Sequence, residues 1–216
     1  ASDSALYLVQ AVGTIGWYND DMSRQLSVVI MAHPKRAEFI PYLKEKLGDV
    51  PVIWDEKNDL WDTCRRAWLA HDMNAEYGLV VQDDALVCNN FYERVEPLLK
   101  GDYIYQLYAG SRMRFKLSQA LKAGRRMILD TTIFNELALC MKTRHIASMI
   151  SYCDARRPVN DRVIQAFARR RRLFVCTPIP SLFDHRDGPS IYRMNRELPT
   201  ANEVRRAAYF IDRPAW

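Results

Sequence analysis

The stretch Leu79-Val-Val-Gln-Asp-Asp-Ala-Leu-Val87 sets two adjacent carboxylates, Asp83 and Asp84, inside an apolar run. The residues leading to them, "YGLVVQD" (77–83), have the branched aliphatic pattern of a strand buried on both faces. A buried carboxylate is costly unless a cation, a set of donors or an exit to solvent meets it. The strand end therefore predicts either a charged site or an acidic turn in water, and the flanking segments decide between them.

Upstream, "LSVVIMA" (26–32) is a second buried-strand pattern, ended by Pro34. "RAEFIPYLKEKLG" follows with helical spacing and a terminal Gly48. "VPVIWD" (50–55) predicts a strand ending in Asp55, and "NDLWDTCRRAWLAHDM" a helix capped by Asn58 or Asp59, with Leu60, Trp61, Cys64, Trp68 and Leu69 on one face. This alternation predicts an α/β sheet with parallel strands, in which ligands collect at the strands' carboxyl ends. The residues at those ends are His33, Asp55 and the Asp83–Asp84 pair.

Downstream the pattern is less regular. "YIYQLYAG" (103–110) and "RRMILDTTIF" (125–134) predict strands, "ELALCMKTRHIASMI" a helix, and "NDRVIQAFARRRR" a helix capped by Asn160 or Asp161. "RLFVCTPIPSLFDHRDG" reads as a short strand entering a Pro-broken loop with Asp184, His185, Arg186 and Asp187, and the tail after Arg193 is basic and aromatic. Trp61 and Trp68, seven apart, read as core packing, and His71 and His145 as structural.

With 216 residues, 49% of them hydrophobic, the chain can build one sizeable core and is expected to form one domain. No apolar run approaches the ~20 residues of a membrane span. The stretch "ALYLVQAVGTIGW" lacks the basic flank and cleavage site of a signal peptide. Five cysteines without a CxxC pair fit reduced thiols and a cytoplasmic protein, with Cys88, Cys140, Cys153 and Cys176 in apolar surroundings. Residues 1–110 carry 10 Lys/Arg against 17 Asp/Glu, a balance of −7, and residues 111–216 carry 21 against 9, a balance of +12. The basic half suggests an anionic partner, or else a basic solvated face.

In their order, "SVVIMAH", "VIWD", "GLVVQDDALV" and "PIPSLFDH" resemble the GT-A-fold glycosyltransferases. The resemblance implies a Rossmann-like mixed sheet flanked by helices in a single domain. Residues 26–110 would form the nucleotide-sugar half, 111–192 the acceptor half and 193–216 a basic tail. It implies a Mn²⁺ or Mg²⁺ ion held by Asp84, with Asp83 supporting the metal or the donor ribose and His185 completing the protein's share. Ala32, His33, Arg36 and Asp55 would line the base and ribose of a nucleotide sugar, a UDP-sugar by preference. Arg65 would reach the phosphates, and Arg186 and Ser190 would close over them. Gln82 stands where the family's acidic motif often begins with a carboxylate. It suits a ribose hydroxyl better than a metal, which implies weak or nucleotide-dependent metal binding.

An inverting enzyme needs a general base. Asp161 is the candidate, with Asp154 behind it, and a helix cap is the alternative for Asp161. For the acceptor, the basic half and the run Arg169, Arg170, Arg171 and Arg172 favour a hydroxymethylated pyrimidine in DNA, as with phage DNA-modifying glycosyltransferases. The alternatives are a surface or lipid-linked glycan, a metal site for phosphodiester hydrolysis, and a nucleic-acid-binding protein without catalysis.

Overall fold

The computed structural model describes residues 25–156, 161–188 and 205–213. The N-terminal stretch weighed as a signal peptide, Asn160, Ser190 and most of the basic tail lie outside these residues, as does the side chain of Asp161.

Strand β1 (Leu26–Ala32) lies between β2 (Val52–Trp54) and β3 (Tyr77–Gln82), parallel to both. Side chains alternate across a strand, so each strand feeds two cores. Val28 and Ile30, with Leu79 and Val81, face α1 (Ile40–Leu47), which buries Leu43 and Leu47 and is closed by Gly48 at φ 84. Val29, Met31 and Val80 face α2 (Leu60–Leu69) on the other side, through Trp61 and Trp68. Asp59 is the cap of α2, accepting from the backbone N–H groups of Trp61 and Asp62. Leu60 and Leu69, expected on the buried face, are 55% and 51% exposed. Each sits about 100° around the helix from the neighbouring tryptophan, beyond the edge of the apolar stripe.

The predicted helix over "ELALCMKTRHIASMI" divides. Ala138–Lys142 is a strand, β7, and only after a short 3-10 turn does helix α5 (Ile146–Asp154) begin. Ala, Leu and Met favour helices, but β7 is held between β3 and β5 (Ile104–Gln106), antiparallel to each, and ladder pairing on both sides overrides that preference. The far end of the sheet is made by β8 (Val175–Pro178), parallel to β5, and β6 (Met127–Asp130), an antiparallel edge strand. The sheet is therefore mixed, in the order β2-β1-β3-β7-β5-β8-β6. Helix α5 and helix α6 (Asp161–Arg170) complete the core around Trp68 with Met149, Ile150, Ile164 and Phe167. The short helix α3 (Phe91–Val95) packs on the α1 side, and α4 (Arg114–Lys122) builds a third cluster of Met113, Leu117 and Ile179.

Two features have no counterpart in the sequence-based expectations. Strands β4 (Ala85–Val87) and β9 (Phe183–His185) pair antiparallel as a separate two-stranded sheet, with Ala85 opposite His185. Residues 205–213 lie against the chain before β9 and the chain after β5: Ser181 N–H donates to the Tyr209 carbonyl at 2.9 Å, and Ala208 N–H to the Ala109 carbonyl at 2.8 Å. All five cysteines are free, four of them buried. No helix among the described residues is long and apolar enough to cross a membrane.

Candidate active site

The parallel ladder of β1 and β3 runs one residue past β3, with Asp83 N–H donating to Met31 at 3.0 Å. Asp83 is thereby carried to the end of β1, where its Oδ2 accepts the His33 N–H at 2.7 Å. Asp55 joins the same edge, its N–H donating to Ala32 at 2.7 Å. The chain turns at Asp84 into β4, and Asp84 O accepts from Arg186 N–H at 2.8 Å. The register of β4 on β9 then sets His185 beside the acidic pair, with its Nε2 3.2 Å from Asp84 Oδ2. Arg36 enters from the 3-10 segment Pro34–Phe39, and its Nη1 lies 2.9 Å from Asp83 Oδ1 and 2.5 Å from Asp84 Oδ2. His33, Arg36, Asp83, Asp84 and His185 thus form one cluster in which both carboxylates and the His185 imidazole are buried.

Burial works to raise the Asp84 carboxyl, but His185 and Arg36 outweigh it and hold Asp84 below the usual carboxylate range. At Asp83 burial wins over His33 N–H and Arg36, and its carboxyl lies above its ordinary value. Burial opposes the charge on Arg36, but the two carboxylates outweigh it and raise that guanidinium further. His185 Nδ1 is 2.5 Å from the carbonyl oxygen of Arg186, which can only accept, so Nδ1 carries a proton. Nε2 is left facing a carboxylate oxygen, an arrangement that calls for a proton or a metal ion between them.

A second buried network supports β9. Asp184 Oδ1 accepts from His185 N–H at 2.9 Å and Ala207 N–H at 2.5 Å, and its Oδ2 pairs with Arg213 at 2.5 Å. Tyr108 donates to the Arg205 carbonyl oxygen and sets its ring 6.2 Å from that of His185.

A Drosophila beta-1,4-galactosyltransferase 7, crystallised as a mutant in complex with manganese, UDP-Gal and xylobiose, has a similar structure. The TM-score is 0.52, the match covers 81% of this chain and 74% of that one, and sequence identity is 11%. The chain has a GT-A-like fold. No protein-family model matches the sequence, and no curated protein matches it.

In this GT-A-like frame the other expected residues lie in different places. Gln82 turns to the α2 side of the sheet, where its Nε2 donates to the Glu136 carbonyl at 3.3 Å and it lines a small cavity with Cys64 and Trp68. Arg65 pairs with Asp154 at 3.1 Å, and Asp154 also accepts from Trp61 Nε1 at 2.8 Å, so these two residues tie α2 to α5. Arg186 stacks its guanidinium over the rings of Phe39 and Tyr42, 4.7 and 4.6 Å from their centroids. Asp161 opens α6, and Arg169, Arg170, Arg171 and Arg172 are exposed at and just beyond its C-terminal end. No motif in the sequence singles out Arg213 or Tyr108; the one signal for Arg213 is the basic, aromatic character of the tail.

The cluster fits a hard divalent cation. Asp84 Oδ1 is buried with no hydrogen-bond partner, and Asp84 Oδ2 and His185 Nε2 face each other. Among the described residues no group of three or more His, Cys, Asp or Glu is arranged to hold a metal. A cation held by Asp84 and His185 would have to take the rest of its coordination shell from water or phosphate oxygens, as Mg²⁺ and similar ions do in nucleotide sites.

Proposed function

We propose that the protein is a metal-dependent glycosyltransferase that moves a sugar from a nucleotide sugar, a UDP-sugar by preference, to an acceptor hydroxyl. The observation that carries this reading is the buried cluster of Asp83, Asp84 and His185 at the strand ends of a GT-A-like fold, with the orphaned oxygen of Asp84 at its centre. A Mn²⁺ or Mg²⁺ ion, when bound, neutralises charge growing on the departing diphosphate. Asp84 and His185 hold that ion. Asp83 fixes the His33 backbone beside the nucleotide, with Ala32 and Asp55 along the same edge. Arg36 presents its guanidinium to the phosphates, and Arg186 flanks them from its seat on Phe39 and Tyr42. In an inverting transfer Asp161, at the start of α6, would take the proton from the acceptor hydroxyl.

Calorimetric titration with UDP, in Mn²⁺ and then in EDTA, tests the donor site. Binding is expected in Mn²⁺ and lost both in EDTA and in Asp84→Ala. Absence of binding by every nucleoside diphosphate would sink the reading.

For the acceptor, we propose a hydroxymethylated pyrimidine base in DNA. This is supported by the +12 balance of residues 111–216 and by the four exposed arginines at the end of α6. Transfer to a glycan with no affinity for DNA would replace this acceptor and leave the donor site standing.

A further inference from the structure

Arg36 stands where a resident cation would stand. Its side chain is 13% exposed and bridges both carboxylates through one nitrogen. The oxygen it meets at 2.5 Å, Asp84 Oδ2, is the one that faces His185 Nε2. A metal bound by Asp84 and His185 would enter beside this guanidinium and meet a like charge in a buried, weakly screening place. Two carboxylates balanced by an internal cation also offer an incoming ion much less attraction than a bare acidic pair. The backbone that carries Arg36 is not locked in a regular helix, since this residue has φ −126 and ψ 22 inside the 3-10 segment. A diphosphate arriving at the strand ends offers the guanidinium a bidentate anion, its preferred kind of partner.

We infer that Arg36 is a displaceable counter-ion that couples metal to nucleotide: it blocks divalent cations at Asp84 until a diphosphate draws it away. The inference rests on the reading of Asp84 and His185 as the metal-holding pair. Such coupling is reciprocal, so whatever factor UDP adds to metal affinity, the metal adds to UDP affinity.

Electron paramagnetic resonance of free Mn²⁺ measures metal binding without any turnover. Wild-type protein and Arg36→Gln are titrated with Mn²⁺ alone and then with UDP present, with Mn²⁺–UDP association subtracted from a protein-free control. Wild type is expected to bind Mn²⁺ on the order of tenfold more tightly with UDP than without, equivalent to about 1.4 kcal/mol. In Arg36→Gln, Mn²⁺ alone is expected to bind on the order of tenfold more tightly than to wild type, and the gain from UDP should shrink. A variant that binds Mn²⁺ no better than wild type overturns the inference. If the variant does not fold, the wild-type arm still decides: equal Mn²⁺ affinity with and without UDP overturns it. Failure of the donor site looks different, because UDP then binds neither with Mn²⁺ nor without it.

Discussion

Asp184 and His185 are neighbours with opposite assignments. His185 turns to the acidic pair, and Asp184 turns to the segment 205–213, where it accepts two backbone N–H groups and the Arg213 guanidinium while only 3% exposed. Removing one partner of a buried ion pair leaves an uncompensated charge, which costs more than the pair itself contributes. Arg213→Ala should therefore destabilise the protein by about 3 kcal/mol, read from urea unfolding, with part of the loss recovered in Arg213→Lys. At this scale the sequence is informative about chemistry and silent about partnership. Asp83, Asp84 and His185 are visible because carboxylates interrupt an apolar run and a histidine follows a strand. That Asp184 belongs to Arg213, or that Arg36 bridges both acids, depends on chain segments far apart in sequence, and no local pattern encodes such a meeting.

The elements show where local patterns are reliable. Strands β1 and β3 are legible from end to end because central parallel strands are apolar on both faces. Strand β7, equally central, is built from Ala-Leu-Cys-Met-Lys and lacks the branched residues that distinguish a strand from a helix. Strands β4 and β9, three residues each, are too short to carry a period. Where α2 meets β1 and β3, His71 fills the space over Gly78: a Cβ built there would lie 2.8 Å from the ring, whose Nδ1 is 3.1 Å from Ser27 Oγ. Gly78→Ala should cost about 1–3 kcal/mol through this clash, and the cost should largely vanish in a His71→Ala background. Burial lowers the His71 pKa from 6.5 to about 4, so the folded protein keeps this ring neutral while the unfolded chain protonates it. Stability from this residue is full above pH 6.5 and is lost as pH falls toward about 4. The loss amounts to about 3 kcal/mol. Unfolding free energies measured across that range should fall in wild type and flatten in His71→Gln.

For the whole molecule, the separation of charge along the sequence does not become a separation of halves in space. Strand β5, from the acidic half, lies between β7 and β8 of the basic half. The positive surplus is concentrated on elements such as the end of α6, where Arg169 and Arg171 lean on Thr131 and Ser148 and keep their charge at the surface. If this surface meets a DNA acceptor, each phosphate it neutralises adds about 0.9 to the slope of log affinity against log salt. Replacing Arg169 to Arg172 by alanine should flatten that slope by roughly one unit for every phosphate no longer neutralised, with UDP binding unchanged.

The pairing of Ala85 with His185 has a consequence for synthesis. The acidic pair emerges from the ribosome about a hundred residues before the histidine that faces it, and contacts so far apart in sequence form late. A nascent chain can complete β1 and β3 and still lack the histidine that faces Asp84. If the cluster holds a donor as proposed, that capacity arises only once β9 has been made and has paired with β4.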